Sequence, residues 1–196
     1  MAQSPTVPLG QDPSDYRPIP ILKLRLKGVK DFGEVTPTLY RGAHASHQGL
    51  RNLQEMGIQI IIDLRGRKHR DERLAEQLGM QYVHIGGTCF PQHDSKYAKF
   101  LSVIDTNPGK KVFVECRLGD DRTGMAVAAF RMANQGYTPK EAMDEMRAYG
   151  FTPIHHIMCW FLARYEHHFP QTYATHPAFA EDRKLYPPPR RLASSQ

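Results

Sequence analysis

Cys116 and Arg122 are separated by five residues in the string Val112-Phe113-Val114-Glu115-Cys116-Arg117-Leu118-Gly119-Asp120-Asp121-Arg122-Thr123-Gly124. An apolar run that ends in a cysteine and re-enters a helix after a short loop can form an anion cradle with a nucleophile at its floor. The backbone N–H groups of Arg117, Leu118, Gly119, Asp120 and Asp121 can turn inward around an oxyanion. A helix opening at Arg122 adds its partial positive charge, which favours both bound phosphate and a thiolate. Gly119 suits a positive φ, and Gly124 lets the helix approach the sheet closely. Arg122 offers a planar fork that can grip two phosphate oxygens. Thr123 brings a hydroxyl that can donate to the sulfur. These surroundings predict a nucleophilic Cys116 with a lowered pKa. An inert thiol in a tight turn and a sulfur-transfer loop are the two other readings of the same residues.

The surrounding pattern says what must position this loop. Residues 58–64 (IQIIIDL), 81–85 (QYVHI) and 111–115 (KVFVE) are short, β-branched or aromatic, and read as buried strands. Between and after them lie helical spacings over 70–78, 95–105 and 122–135, then 139–149 and 153–168. Thr138-Pro139-Lys140-Glu141 is a capping box with proline at the first helical position. Residues 39–41 read as an early strand and 46–56 as a helix capped by Ser46. Alternation of strands and helices predicts an α/β fold, with a mostly parallel central sheet flanked by helices. Ligands of such sheets bind beyond the carboxyl ends of the strands, so residues 65–70, 86–94 and 116–121 should share one rim. The run Arg65-Gly66-Arg67-Lys68-His69-Arg70 puts Arg65 and Arg67 where they could draw in a phosphorylated substrate, and Arg41 could point the same way.

The stretch Cys116–Gly124 resembles the signature loop of cysteine-dependent protein tyrosine phosphatases. With Leu39-Tyr40-Arg41-Gly42, Gly49-Leu50 and the strand ending in Asp63-Leu64-Arg65, the core is similar to the atypical dual-specificity branch of plants, fungi and bacteria. The resemblance runs from about Phe32 to Tyr149. It implies a dual-specificity-like fold and phosphomonoester hydrolysis through a phosphocysteine, without metal or other cofactor. On that carry-over Cys116 attacks phosphorus, Arg122 holds the transferring group and Thr123 helps the thiolate leave. Asp94 is the implied general acid, 22 residues before the nucleophile. The same aspartate could instead cap the helix that follows it. His93, then Asp120 or Asp121, are the other candidates for the acid.

Two positions depart from the family pattern. The residue before the nucleophile is normally histidine and is Glu115 here. A carboxylate facing the sulfur would oppose its ionisation, which predicts a weak phosphatase with an alkaline-shifted activity limb. Asp120 and Asp121 occupy loop positions often basic in members acting on inositol phosphates, which counts against very highly charged substrates. The expected substrates are phosphotyrosine, phosphothreonine or a compact phosphorylated metabolite. Inositol phosphates and a phosphate-binding pseudophosphatase are the alternatives.

Composition sets the outer limits. The chain has 196 residues, 40% hydrophobic and 23% charged, with a formal charge of +6, which suits one domain and an acidic partner. No apolar run reaches the roughly 18 residues of a membrane helix, and no nucleic-acid motif is present. Five of the fifteen prolines fall in residues 1–20 and five in 170–196. That predicts a proline-rich arm over 1–20, a phosphatase-like domain over 21–169 and a basic proline-rich tail over 170–196. Three cysteines do not make a disulfide scaffold, so a reducing compartment is expected, preferably the cytoplasm, with a processed exported form left open. The paired histidines lack metal-site spacing, and no metal is expected.

Overall fold

A computed structural model describes residues 22–66, 71–86, 94–152, 168, 171–177 and 180, the side chains of residues 94 and 95 excepted. Among these residues six strands form one sheet in the order β1-β2-β3-β6-β4-β5. β3 (Leu39–Ala43), β6 (Lys111–Cys116), β4 (Ile58–Asp63) and β5 (Gln81–His84) run parallel, as the alternating pattern predicts. β1 (Leu22–Lys23) and β2 (Gly33–Thr36) extend the sheet antiparallel beside β3. The sequence reading missed this ribbon: two exposed residues and a four-residue strand opening on glycine carry too little periodicity to register.

Side chains of β6 alternate between two cores, as strand geometry requires. Val112, Val114 and Cys116 face a cluster built with α3 (Asp94–Asp105), α4 (Asp121–Gln135) and α5 (Pro139–Ala148). Phe113 faces the opposite cluster, which holds Leu50 and Leu53 of α1 (His47–Glu55) and Ala75 of α2 (Asp71–Gln77). Ser46 caps α1 by accepting the Gly49 N–H at 3.1 Å. The capping box at Thr138 forms, with Glu141 accepting the Thr138 N–H at 2.7 Å. Gly136 ends α4 at φ +68°.

The helix expected over 153–168 lies outside the described residues apart from His168, as does the arm over 1–20. Tyr173, in the expected tail over 170–196, is fully buried in the α4-side core.

Candidate active site

β6 is flanked on both sides by parallel strands, and its last residue is Cys116, 1% exposed. The chain then leaves the sheet for four residues and re-enters a 15-residue helix at Asp121, so the helix N-terminus stands directly behind the loop. Inside the loop Gly119 turns at φ +84°, where an added Cβ would sit 2.5 Å from the Ala43 nitrogen and 2.6 Å from the Gly42 carbonyl carbon. Only glycine fits so close to β3. That turn aims the Gly119 N–H at Cys116 Sγ, 3.3 Å away, and Arg41 Nη2 anchors the Gly119 carbonyl at 2.9 Å.

The remaining loop residues divide by direction. Arg117 and Leu118 are exposed at the mouth, Leu118 by 50%. Asp120 is buried and accepts the Asp121 N–H at 2.8 Å as the helix cap. Asp121 and Arg122 are half-buried, with Arg122 Nη1 3.5 Å from the Leu64 carbonyl. Thr123 differs from expectation. Its fully buried hydroxyl makes no hydrogen bond to any described residue, and the sulfur's donor is the Gly119 N–H instead.

The guanidinium of Arg65, one of the expected phosphate binders, is buried among carboxylates. Nε lies 2.8 Å from Asp63 Oδ1, and Nη2 lies 3.1 Å from Asp71 and 3.3 Å from Glu115. Tyr82 completes the set by donating to Asp63 at 2.6 Å. An arginine so engaged has little of its hydrogen-bonding capacity left for a substrate phosphate. Arg67 lies outside the described residues.

The same network answers the concern over Glu115. Its carboxylate accepts the Ala45 N–H at 2.8 Å and meets His44 Nδ1 at 3.3 Å, on the face of β6 opposite Cys116. It does not face the sulfur, and the physical ground for an alkaline-shifted limb is removed. Instead it ties the end of β6 to the segment after β3.

Burial holds the Glu115 carboxyl above the usual carboxylate range, against the opposing pull of His44, the Ala45 N–H and Arg65. The folded state therefore keeps a proton that the unfolded chain has lost above about pH 4.3. Stability falls as pH rises from there through the raised value. Asp63 behaves oppositely. Burial pushes it up, but hydrogen bonds from Arg65 and Tyr82 outweigh burial and hold it below its ordinary value. Its contribution is present above about pH 3.9 and is lost as pH falls through the depressed value. Glu115→Gln should therefore remove a downward slope that begins above about pH 4.3 and leave the acid limb in place. Urea unfolding of both proteins from pH 3 to pH 7 checks this, and parallel curves above pH 4.3 would refute it.

Asp94 is the first residue of α3, on the rim, and its side chain lies outside the described residues, as do His93 and Cys89. A small cleft beside Arg122 is lined by Leu64, Ile85, Gly86, Lys96, Tyr97 and Phe100. Lys96, which sequence reasoning did not single out, donates to the Gly86 carbonyl there. Burial, then the charge of Arg122, lowers its pKa. Its spacing two residues after Asp94 was the available signal.

A buried cysteine at the end of a central parallel strand, with a loop N–H on its sulfur and a helix start behind it, is the arrangement the signature loop implied. Comparison with known families decides the point: residues 27–156 match the model of the DSP-PTPase phosphatase fused to NAD+ kinase. The chain belongs to the DSP-PTPase family. Among relatives of this DSP-PTPase domain, dual specificity protein phosphatase 26 of Mus musculus is 28% identical over 127 residues, 61% of this chain and 60% of that protein. The dual specificity protein phosphatase TpbA of Pseudomonas aeruginosa is 28% identical over 123 residues, 60% of this chain and 53% of that protein. The chain thus spans between half and two thirds of the length of these curated relatives. The crystal structure of P. aeruginosa TpbA superposes with a TM-score of 0.59 at 20% identity, covering 74% of this chain and 91% of that one. The core catalytic domain of the PP-IP phosphatase SIW14 from S. cerevisiae, in complex with citrate, gives 0.58 at 18% identity, covering 74% and 92%. These superpositions show the dual-specificity-like α/β fold.

Proposed function

We propose that the domain hydrolyses phosphomonoesters through a phosphocysteine intermediate. The observation that carries this is the Gly119 N–H directed at Cys116 Sγ at the start of α4. The sulfur there meets a backbone donor and the start of a helix before any substrate arrives, which is the setting a nucleophilic cysteine needs. In the first step Sγ attacks phosphorus and the bond from phosphorus to the ester oxygen breaks. Arg122 holds two of the phosphoryl oxygens, and Asp94 protonates the departing oxygen. In the second step Asp94 takes a proton from water, the water oxygen attacks phosphorus, and the S–P bond breaks to return the thiolate.

Phosphotyrosine, phosphothreonine or a compact phosphorylated metabolite is the substrate class this site suits. The exposed Leu118 offers an apolar contact, and Asp120 and Asp121 add negative charge close to the cradle. Both features disfavour a ring carrying many phosphates, which keeps inositol phosphates as the second reading, prompted by the likeness to SIW14. Glu115 lies turned from the sulfur, which favours turnover over a pseudophosphatase. A panel of phosphopeptides, phosphoinositides and soluble inositol phosphates, with Cys116→Ser as control, tests the reading. Turnover of none of them, or equal turnover by Cys116→Ser, would end it.

Asp94→Asn should lower kcat by about 10²–10⁴-fold, the usual scale for lost acid–base catalysis. The loss should be largest on alkyl phosphates and small on activated aryl phosphates, whose leaving group needs little protonation. An equal small loss on both, with a lower melting temperature, would assign Asp94 to starting α3.

A further inference from the structure

Arg41 has a role that neither the signature loop nor the acid accounts for. It lies on β3 opposite Val114, on the same face of the sheet as Cys116, and is completely buried. Its guanidinium carbon sits 3.7 Å above the centre of the Tyr149 ring. Nη2 donates to the Gly119 carbonyl at 2.9 Å, whereas Nε and Nη1 have no hydrogen-bond partner among the described residues. No described carboxylate lies within ion-pair distance. The nearby Glu145 is already held by Arg131 through Nε at 2.8 Å and Nη2 at 3.1 Å.

A buried cation without a counter-ion is costly unless something else in the site bears the opposite charge. The fold goes to some length to keep this one. Tyr149, at the end of α5, reaches the Leu22 carbonyl with its hydroxyl, through space that exists only because residue 33 is glycine. The β1–β2 ribbon and α5 together fix the aromatic shelf on which Arg41 lies. On its other side the guanidinium grips Gly119, whose own N–H faces the nucleophilic sulfur. Burial, helped by Arg131, holds the Arg41 guanidinium below its ordinary pKa against the opposing pull of Glu145, Tyr149 and the Cys116 sulfur.

We propose that Arg41 is a positioning residue whose buried charge, delivered through Gly119, holds the signature loop in its anion-binding form and favours the Cys116 thiolate. No described residue supplies a counter-ion, and the phosphoryl group bound during turnover would bring the opposite charge to this side of the loop. This rests on the phosphatase reading above, but its first readout needs no turnover.

The test is the rate of iodoacetamide alkylation of Cys116 as a function of pH, in wild type, Arg41→Lys, Arg41→Gln and Arg41→Met. Gln keeps a donor for Gly119 without the charge, Lys keeps the charge, and Met keeps neither. At pH 6, Gln and Met should alkylate about tenfold more slowly than wild type, the effect of one nearby charge on thiolate population. Lys should stay within about threefold of wild type. A merely structural arginine would lower the melting temperature of Met and Gln and leave their alkylation profiles unchanged. That result overturns the proposal, as does Lys alkylating as slowly as Met. Should Met fail to fold, the contrast between Gln and Lys decides. Turnover of p-nitrophenyl phosphate is measured on the same proteins. An inactive wild type with slowed Gln and Met removes the hydrolase reading and leaves the role of Arg41 standing.

Discussion

Cys116→Ser should lower turnover by roughly 10⁴–10⁶-fold, the scale on which losing a covalent nucleophile acts. Inorganic phosphate should remain bound, because the cradle consists of backbone N–H groups, the start of α4 and Arg122, none of which the substitution touches. Serine is close in size to cysteine, and the Gly119 N–H finds an oxygen where it had a sulfur. Arg122→Ala should lose both properties. Two charge-assisted hydrogen bonds are worth about 1.5–3 kcal/mol each, so phosphate affinity should fall by roughly 10²–10⁴-fold. Single-turnover kinetics and phosphate titration by calorimetry separate the two variants. A serine variant that turns over at the wild-type rate would eliminate the phosphocysteine.

The second large effect is on stability. Arg65→Met leaves Asp63, Asp71 and Glu115 close together and mostly buried, without the cation that joins them. Breaking a buried pair by removing one partner costs about 3–5 kcal/mol, against a total stability of about 5–15 kcal/mol for a domain. For a chain of this size that corresponds to a fall in Tm of roughly 6–20 °C. A phosphate-binding arginine would behave otherwise: KM would rise and Tm would hold. Calorimetry and steady-state kinetics on the one variant distinguish the two roles, and an unchanged Tm with raised KM would return Arg65 to the substrate.

Local features of the site were legible before any coordinates. The strand ending at Cys116, the helix that follows, the caps at Ser46 and Thr138, and the positive φ of Gly119 all follow from neighbours within a few residues. What failed depended on partners distant in the chain. Arg65 reads as the first of a basic run, and nothing local says that Asp63, Asp71 and Glu115 converge on it. Glu115 stood out as a departure, but its partners His44 and Ala45 lie some 70 residues earlier, so its direction could not be read. The importance of Arg41 emerges only when β3, the signature loop and Tyr149 meet. The motif pointed to Thr123 as a donor to sulfur, whereas the contact formed is from the backbone of Gly119, a group no side-chain pattern advertises.

The strand order has a consequence for how the protein is made. Among the described residues β6 is the last strand, but it lies between β3 and β4. A nascent chain that has not yet released residues 111–116 from the ribosome can form only two separate ribbons, β1-β2-β3 and β4-β5. Each presents an open edge, and that of β4 carries Ile60, Ile61 and Ile62, all buried in the finished sheet. Joining the ribbons waits for β6, whose pairing with β3 spans some 70 residues and is slow for that reason. The same strand delivers the nucleophile. Synthesis therefore passes through an interval in which aggregation is the main hazard and no cradle exists, and it ends when one insertion completes sheet and cradle together.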